Sequence, residues 1–415
     1  MADSKPGLLN QAYPISLYVH VPFCRSKCPY CDFFSQAGAS RTEMARVVEE
    51  TLRELEFFLR RLSRTSVCTI YIGGGTPSLL PSKLFSHLVE GIRERCAGSC
   101  QEWSVETNPE SLSAEFLEAC AGAGVNRLSL GVQTLQEGLL RLLGRPGGLE
   151  ETTAALERIG AAWKGRLNLD LLAGIPGQSR ADLRRDIEGV LACLPAHVSF
   201  YCLSPPAGSP LAGKIEPERQ EALWLEGLRL LEERGYLGYE VSNFCLPGQE
   251  CLHNLRYWTL DPYLGVGPGA VSTLPGEDGE ILRFSNPEHL DAFLQGEPGN
   301  WGLQRERIGA REFLFETLMM GLRLRRGIPR QVFISRFGEP LEEMVPGLWE
   351  HWVSTGLAPR EEGEAYALSP AGRLILDALL RELQERLDGV DPPQARWMGS
   401  GSVELPPGIP AGGES

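Results

Sequence analysis

The sequence predicts an α/β fold built from repeated strand and helix units, and three observations carry that expectation. Six short β-branched or alternating runs occur in the first half of the chain, and each is followed by a longer segment with helical spacing. The 415 residues are 42% apolar and 23% charged, enough to bury one large core and a smaller one.

The runs are ISLYVHVPF (15–23), TIYIGGG (69–75), EWSVETN (102–108), RLSLGVQ (127–133), RLNLDLLAGIP (166–176) and HVSFYCLSP (197–205). Met44, Val48, Leu52, Leu55, Leu59 and Leu62 recur every three or four residues, so the first connection reads as an amphipathic helix with one buried stripe. Alternating units of this kind give a parallel sheet with helices outside. Right-handed crossovers curl it into a doubly wound sheet or a full or partial barrel. In either form, function belongs at the C-terminal ends of the strands.

Past residue 270 the strand pattern fades through LPGEDGE into helical periodicity over 311–324 and 341–353. The expected organisation is therefore an N-terminal extension (1–14), the strand and helix domain (15–270) and a smaller, mainly helical domain (271–388). The Pro-, Gly- and Ser-rich end, 389–415, reads as a disordered tail.

A formal charge of −14 gives no general attraction to nucleic acid or anionic lipid, which leaves small-molecule chemistry as the expectation. The N-terminus lacks a basic segment followed by an apolar run, and no stretch approaches a membrane span of about 20 apolar residues. A cytoplasmic protein that is not integral to a membrane is expected. The 11 cysteines are odd in number and scattered, unlike a disulfide framework. Cys68, Cys96, Cys100, Cys120, Cys193, Cys202, Cys245 and Cys251 are read mostly as small buried hydrophobes. Cys96 and Cys100 repeat a CxxxC spacing, but no third ligand follows closely.

The remaining three stand apart. CRSKCPYC places Cys24, Cys28 and Cys31 in CxxxCxxC spacing directly after the first strand. Three soft thiolates can hold three irons of a 4Fe-4S cube and leave the fourth iron open to a chelating ligand. A zinc site is the alternative, and it would need a fourth ligand, for which His20 is the nearest candidate. Further strand ends supply polar groups to the same rim: GGGTP at 73–77, Glu106 and Asn108, Gln133, Asp170, and Arg145 in the following loop. Glycines there let backbone approach a ligand, carboxylates accept from an ammonium or ribose hydroxyls, and a guanidinium pairs with a carboxylate.

CxxxCxxC with an aromatic residue, here Tyr30, before the third cysteine resembles the radical S-adenosylmethionine (SAM) superfamily. That resemblance implies a partial (β/α)6 barrel, a 4Fe-4S cluster on Cys24, Cys28 and Cys31, and SAM chelating the open iron. The chain further resembles the branch containing the coproporphyrinogen dehydrogenase HemN and the heme chaperone HemW, over roughly residues 15–380. The motifs are YVHVPFCRSKCPYCDF, GGGTPSLL, ETNP, RLSLGVQ, DLLAGIPGQ, YEVSNF, HNLRYW and YLGVGPGA. On this resemblance Tyr18, Tyr30, Gly74, Gly75, Thr76, Glu106, Gln133, Arg145 and Asp170 match SAM-contacting positions.

Two features favour the chaperone side of the branch. Phe33 stands where the dehydrogenase carries a further cysteine, and only 17 residues precede Tyr18. His253, Asn254, Tyr257 and Trp258 supply an HNxxYW motif that implies heme, with His253 the candidate iron ligand and Cys251 the second. The implied function is heme binding and transfer to apo-hemoprotein acceptors, with a homodimer among the expected states. The alternative is a radical SAM enzyme such as the oxygen-independent dehydrogenase that makes protoporphyrinogen IX. Pro146 after Arg145, and Pro206 where relatives commonly have glutamate, depart from the family pattern on the substrate side.

Overall fold

Alternate residues of the six runs meet two environments, and that alternation builds the sheet. The computed structural model describes residues 13–62, 65–96, 100–275, 281–297, 299, 301–359, 363–388 and 390. The expected N-terminal extension and C-terminal tail therefore lie outside the described residues, apart from residues 13, 14 and 390. The runs form β1 (Tyr13–Val21), β2 (Thr65–Gly74), β3 (Glu102–Thr107), β4 (Arg127–Gln133), β5 (Arg166–Ala173) and β6 (His197–Cys202). They lie side by side in that order and all parallel.

Leu17, Val19, Ile72, Val105, Leu130, Leu169 and Phe200 are fully buried on the outer face, beneath the helices. Ser16, Thr69, Ser104, Ser129, Asn168 and Ser199 occupy the alternate positions and give the interior a polar lining. The covering helices are α1 (Arg41–Arg61), α2 (Ser82–Arg95), α3 (Ala114–Ala123), α4 (Leu149–Ala162), α5 (Arg180–Leu191) and α6 (Pro217–Glu233). A capping box starts α1, in which Glu43 N–H donates to Ser40 Oγ at 3.2 Å and Ser40 N–H donates to Glu43 Oε2 at 2.8 Å. Met44, Val48, Leu52 and Leu55 are buried, as their spacing predicts. Ser179 and Asp182 repeat the device at α5. The succession of six units is that of a partial (β/α)6 barrel.

The sheet does not stop at residue 270. β7 (Leu237–Gly238) and β8 (Asn243–Cys245) add antiparallel strands beside β6. On the other edge β9 (Tyr263–Val266) pairs parallel with β1, followed by β10 (Val271–Pro275), β11 (Ile281–Ser285) and β12 (Gln304–Ile308), all antiparallel. The full order is β12-β11-β10-β9-β1-β2-β3-β4-β5-β6-β8-β7. Strands of four or five residues between turns leave too short a period to read from sequence.

Beyond Ile308 the chain is mainly helical, beginning with Ala310–Gly321. Phe313, Phe333, Phe337, Trp352, Tyr366 and Leu383 form a second buried core there. The expected helical stretch 341–353 is split into Leu341–Met344 and Leu348–Ser354, because Pro346 lacks an amide hydrogen and Gly347 takes φ +77°.

Candidate functional site

The CxxxCxxC loop leaves the C-terminal end of β1 and is tied down by a short parallel bridge between Phe23–Cys24 and Gln36–Ala37. Cys24 Sγ lies 3.7 Å from Thr76 Oγ1, Cys28 Sγ 3.9 Å from Gly144 O, and Cys31 N–H donates to Cys28 O at 3.1 Å. All three thiols are unpaired and partly buried, and they line one cavity of about 390 Å³. Burial raises the thiol pKa of Cys28 and Cys31, and the Arg145 guanidinium works against that rise at Cys28.

Among the described residues no three His, Cys, Asp or Glu side chains converge around a point that would hold a single ion. His20, the candidate fourth zinc ligand, has both ring nitrogens engaged, Nδ1 with Tyr18 OH at 2.9 Å and Nε2 with Phe34 O at 3.0 Å.

Glycine is needed on the adjoining rim. Gly74 takes φ +105°, and a Cβ there would run into the His20 ring. At Gly75 a Cβ would stand 2.8 Å from the Phe23 amide nitrogen, so the β2 end can lie against the cysteine loop only without side chains. Thr76 Oγ1 accepts from Asn108 Nδ2 at 2.8 Å, which links the β2 and β3 ends.

Two carboxylates face the cavity from below. Glu106 accepts from Tyr71 OH at 2.7 Å and from Gly74 N–H at 3.1 Å. Burial pushes its pKa up to about 7, the Tyr71 hydrogen bond resists the rise, and the Asp170 charge adds to it. Asp170 accepts from Asn168 Nδ2 at 2.7 Å and from Ser129 Oγ at 3.4 Å, and burial raises its pKa to about 6. Both groups sit at inward positions where a bound cation would draw out their charge.

Arg145 is already engaged. Its Nη2 donates to Asn108 Oδ1 and Gly131 O, each at 3.0 Å, Nη1 reaches Tyr30 OH at 3.4 Å, and Glu110 lies at 3.6 Å. Burial opposes its charge, but Tyr30, Glu110 and Cys28 together hold its pKa above the usual value. Gln133 sits at φ +68°, where the β4–β5 register shifts, and this bulge aims it at the cavity.

Of the residues expected at SAM, Tyr30, Gly74, Gly75, Thr76, Glu106, Gln133, Arg145 and Asp170 line the cavity with the three cysteines. Tyr18 does not: it lies short of the strand end with its hydroxyl turned to His20, and its ring stacks on Tyr71 at 6.3 Å. Pro146 lines the cavity and Pro206 does not. Sequence reasoning missed Tyr71, Glu110, Tyr201 and Cys202. The signal for Tyr71 was the alternation in TIYIG, which puts it on the face of Thr69 and Gly73. Cys202 is exposed on the cavity rim, against the expectation of a buried thiol.

The HNLRYW segment lies at the opposite end of the barrel. It forms α7 (Leu252–Trp258), across the N-terminal strand ends. A buried ion pair, Glu102 with Arg127 at 2.9 Å, anchors it. Glu102 Oε1 accepts from His253 N–H at 3.0 Å and Cys251 Sγ at 3.2 Å, while Arg127 Nη2 donates to Gln249 O and Glu250 O. His253 is buried, with Nδ1 3.0 Å from Thr69 Oγ1 and its ring between Tyr71 and Tyr257, each at 5.1 Å. Burial lowers its pKa to about 3. Asn254 lies near the Tyr239 hydroxyl, and Trp258 lies under the Arg323 guanidinium at 4.5 Å. The polar cavity above this floor, bordered by Cys251 and Asn254, is only about 90 Å³. A porphyrin plane does not reach His253 in this arrangement.

Residues 18–189 match the radical SAM superfamily, and residues 308–375 match the HemN C-terminal domain. The heme chaperone HemW of Escherichia coli is 34% identical over 374 residues, 88% of this chain and 97% of that protein. The chain belongs to the HemW family of radical SAM proteins. The HemW family member of Mycobacterium tuberculosis is 33% identical over 91% of this chain and 97% of its own. The mitochondrial radical S-adenosyl methionine domain-containing protein 1 of Bos taurus is 33% identical over 90% and 88%. Among solved structures, coproporphyrinogen III oxidase (HemN) of Escherichia coli shares the fold, with TM-score 0.76 over 91% of this chain and 90% of that one at 22% identity. Radical SAM membership implies a 4Fe-4S cluster and SAM, and the thiols, glycine rim and paired carboxylates fit both. No helix among the described residues is long and apolar enough to cross a membrane.

Proposed function

We propose that this chain is a heme chaperone, which takes up heme and passes it to apo-hemoproteins, with a 4Fe-4S cluster and SAM held at the mouth of its barrel. The observation that carries the reading is the similarity to heme chaperones along almost their whole length, together with Phe33 in place of a fourth cysteine. Phe33 is 68% exposed on the cluster loop, so no thiol stands at that position to contact the cavity.

Cys24, Cys28 and Cys31 are the cluster ligands in this reading. Glu106 and Asp170 accept from the ammonium and ribose of SAM, and Arg145, Tyr30 and Asn108 form the wall beside it. When bound there, a reduced cluster would supply one-electron reducing power to the sulfonium of SAM. The protein's own contribution is to keep the site narrow, to position two carboxylates poised near neutrality, and to hold a guanidinium charged. Reduced thiolates suit a cytoplasmic setting. Contact between heme and the HNLRYW segment, which the resemblance implies, requires α7 to move away from the barrel floor.

Anaerobic reconstitution with iron and sulfide, followed by titration with hemin, tests the reading. Stoichiometric heme binding and transfer to an apo-hemoprotein are expected, and absence of binding sinks it. An unchanged heme spectrum in His253→Ala would remove that ring as the iron ligand. Formation of protoporphyrinogen IX from coproporphyrinogen III would replace the chaperone with the dehydrogenase.

A further inference from the structure

A surface groove of about 280 Å³ opens where the barrel core meets the C-terminal core. α6 lines one side with Trp224, Leu225 and Leu228, and buried Phe244 from β8 forms its base. Leu374, at the end of the helix Pro370–Leu374, forms the opposite wall. Leu225 and Leu374 are 39% and 52% exposed, an apolar face that the fold itself does not cover.

Arg325 and Arg373 flank this apolar strip. Among the described residues neither forms an ion pair with a carboxylate, although Arg373 Nη1 donates to Leu368 O at 2.9 Å. Burial and the neighbouring Arg325 charge lower the pKa of Arg373, so two like charges stand close together with no carboxylate among the described residues in salt-bridge contact with either. The other charges on the groove are largely satisfied. Glu240 is paired with Arg323 at 2.9 Å, and Arg229 with Glu226 and Glu233. Glu232 is the remaining acid, and it offsets Arg373 less than Arg325 opposes it.

An apolar strip beside two unpaired guanidiniums is complementary to a flat apolar molecule that ends in two carboxylates. Resting on the reading of the chain as a heme carrier, we propose that this groove is a docking site for the cargo. The macrocycle lies along Trp224, Leu228 and Phe244, and its two propionates pair with Arg325 and Arg373. No histidine, cysteine, methionine or tyrosine lines the groove, so the chain leaves the iron unliganded there. The site therefore recognises the porphyrin dicarboxylate and not the metal. A ligand covered on one face stays open on the other to an acceptor.

The reconstituted full-length protein, titrated with hemin, metal-free protoporphyrin IX and the dimethyl ester of the latter, tests this by visible absorption and tryptophan quenching. Hemin and the metal-free porphyrin are expected to compete for one site. The dimethyl ester is expected to bind about tenfold more weakly, and so is hemin to the double variant Arg325→Glu/Arg373→Glu. Iron content and circular dichroism of that variant are expected to match the parent. If the double variant binds hemin as tightly as the parent, the groove is overturned and the chaperone reading stands. If metal-free protoporphyrin does not compete, metal-independent recognition is overturned. If the parent binds no hemin, both fall.

Discussion

Tyr71 donates its hydroxyl hydrogen to Glu106 Oε1 at 2.7 Å. The ring of the same tyrosine packs on His253 at 5.1 Å, so one inward residue of β2 rests on the barrel floor and holds a carboxylate of the SAM site. The tyrosine hydroxyl is also raised well above its usual pKa by burial, which keeps it a donor at all working pH values.

Tyr71→Phe keeps the ring and removes the donor. The buried carboxylate then loses one of its two hydrogen bonds, a cost of about 1.5 kcal/mol. SAM affinity should fall about tenfold while the fold persists, read from SAM-induced changes in the cluster spectrum. His253→Ala, which removes the ring beneath Tyr71, should lower SAM affinity in the same direction. Unchanged SAM binding in both variants would separate the floor from the site.

Glu106 and Asp170 make the stability of the SAM-free protein depend on pH. Their pKa values are raised by burial to about 7 and about 6, whereas carboxyls in the unfolded chain ionise near about 4. Between those limits the native state keeps protons that the unfolded state gives up, so stability falls as pH rises through the window. Each group contributes a slope of up to about 1.4 kcal/mol per pH unit. Denaturant unfolding from pH 5 to pH 8 should show this decline, and Glu106→Gln should flatten it. An equal slope in the variant would contradict the assignment.

The six strands and the cysteine loop were legible because their signals are local: alternation over a few residues, and a spacing within eight. The floor was not. Arg256 reaches Ser16 Oγ at 2.6 Å and Glu102 reaches His253 N–H at 3.0 Å, contacts between segments more than a hundred residues apart that no period announces. The same holds for Arg145, expected to await a ligand, whose partners Glu110 and Asn108 come from another strand end. Tyr18, which the family resemblance matches to a SAM-contacting position, has its hydroxyl 2.9 Å from His20 Nδ1, a contact two residues along the same strand that the motif alone does not announce.

The three motif cysteines and Cys202 share one cavity, and this gives an internal control. Cys24→Ala, Cys28→Ala and Cys31→Ala should each lower iron and acid-labile sulfide after reconstitution to near background. Cys202→Ala should leave both unchanged, because its thiol stands at the end of β6 and outside the CxxxCxxC loop. Loss of iron in the Cys202 variant would make it a fourth ligand and exclude an open iron.

Arg145 tests whether the wall of the site is structural before it is functional. Its side chain is 6% exposed and that of Glu110 is 4% exposed, so Arg145→Ala strands a buried carboxylate, a change that typically costs about 3–5 kcal/mol. Arg145→Lys keeps the charge but cannot place two donors on Asn108 and Gly131 while facing Tyr30. The alanine variant should therefore unfold at markedly lower denaturant before any cofactor is added. The lysine variant should recover most of the stability and still bind SAM poorly. If alanine and lysine are equally stable without cofactor, the Glu110 pair contributes little to the fold and Arg145 is held in reserve for the ligand alone.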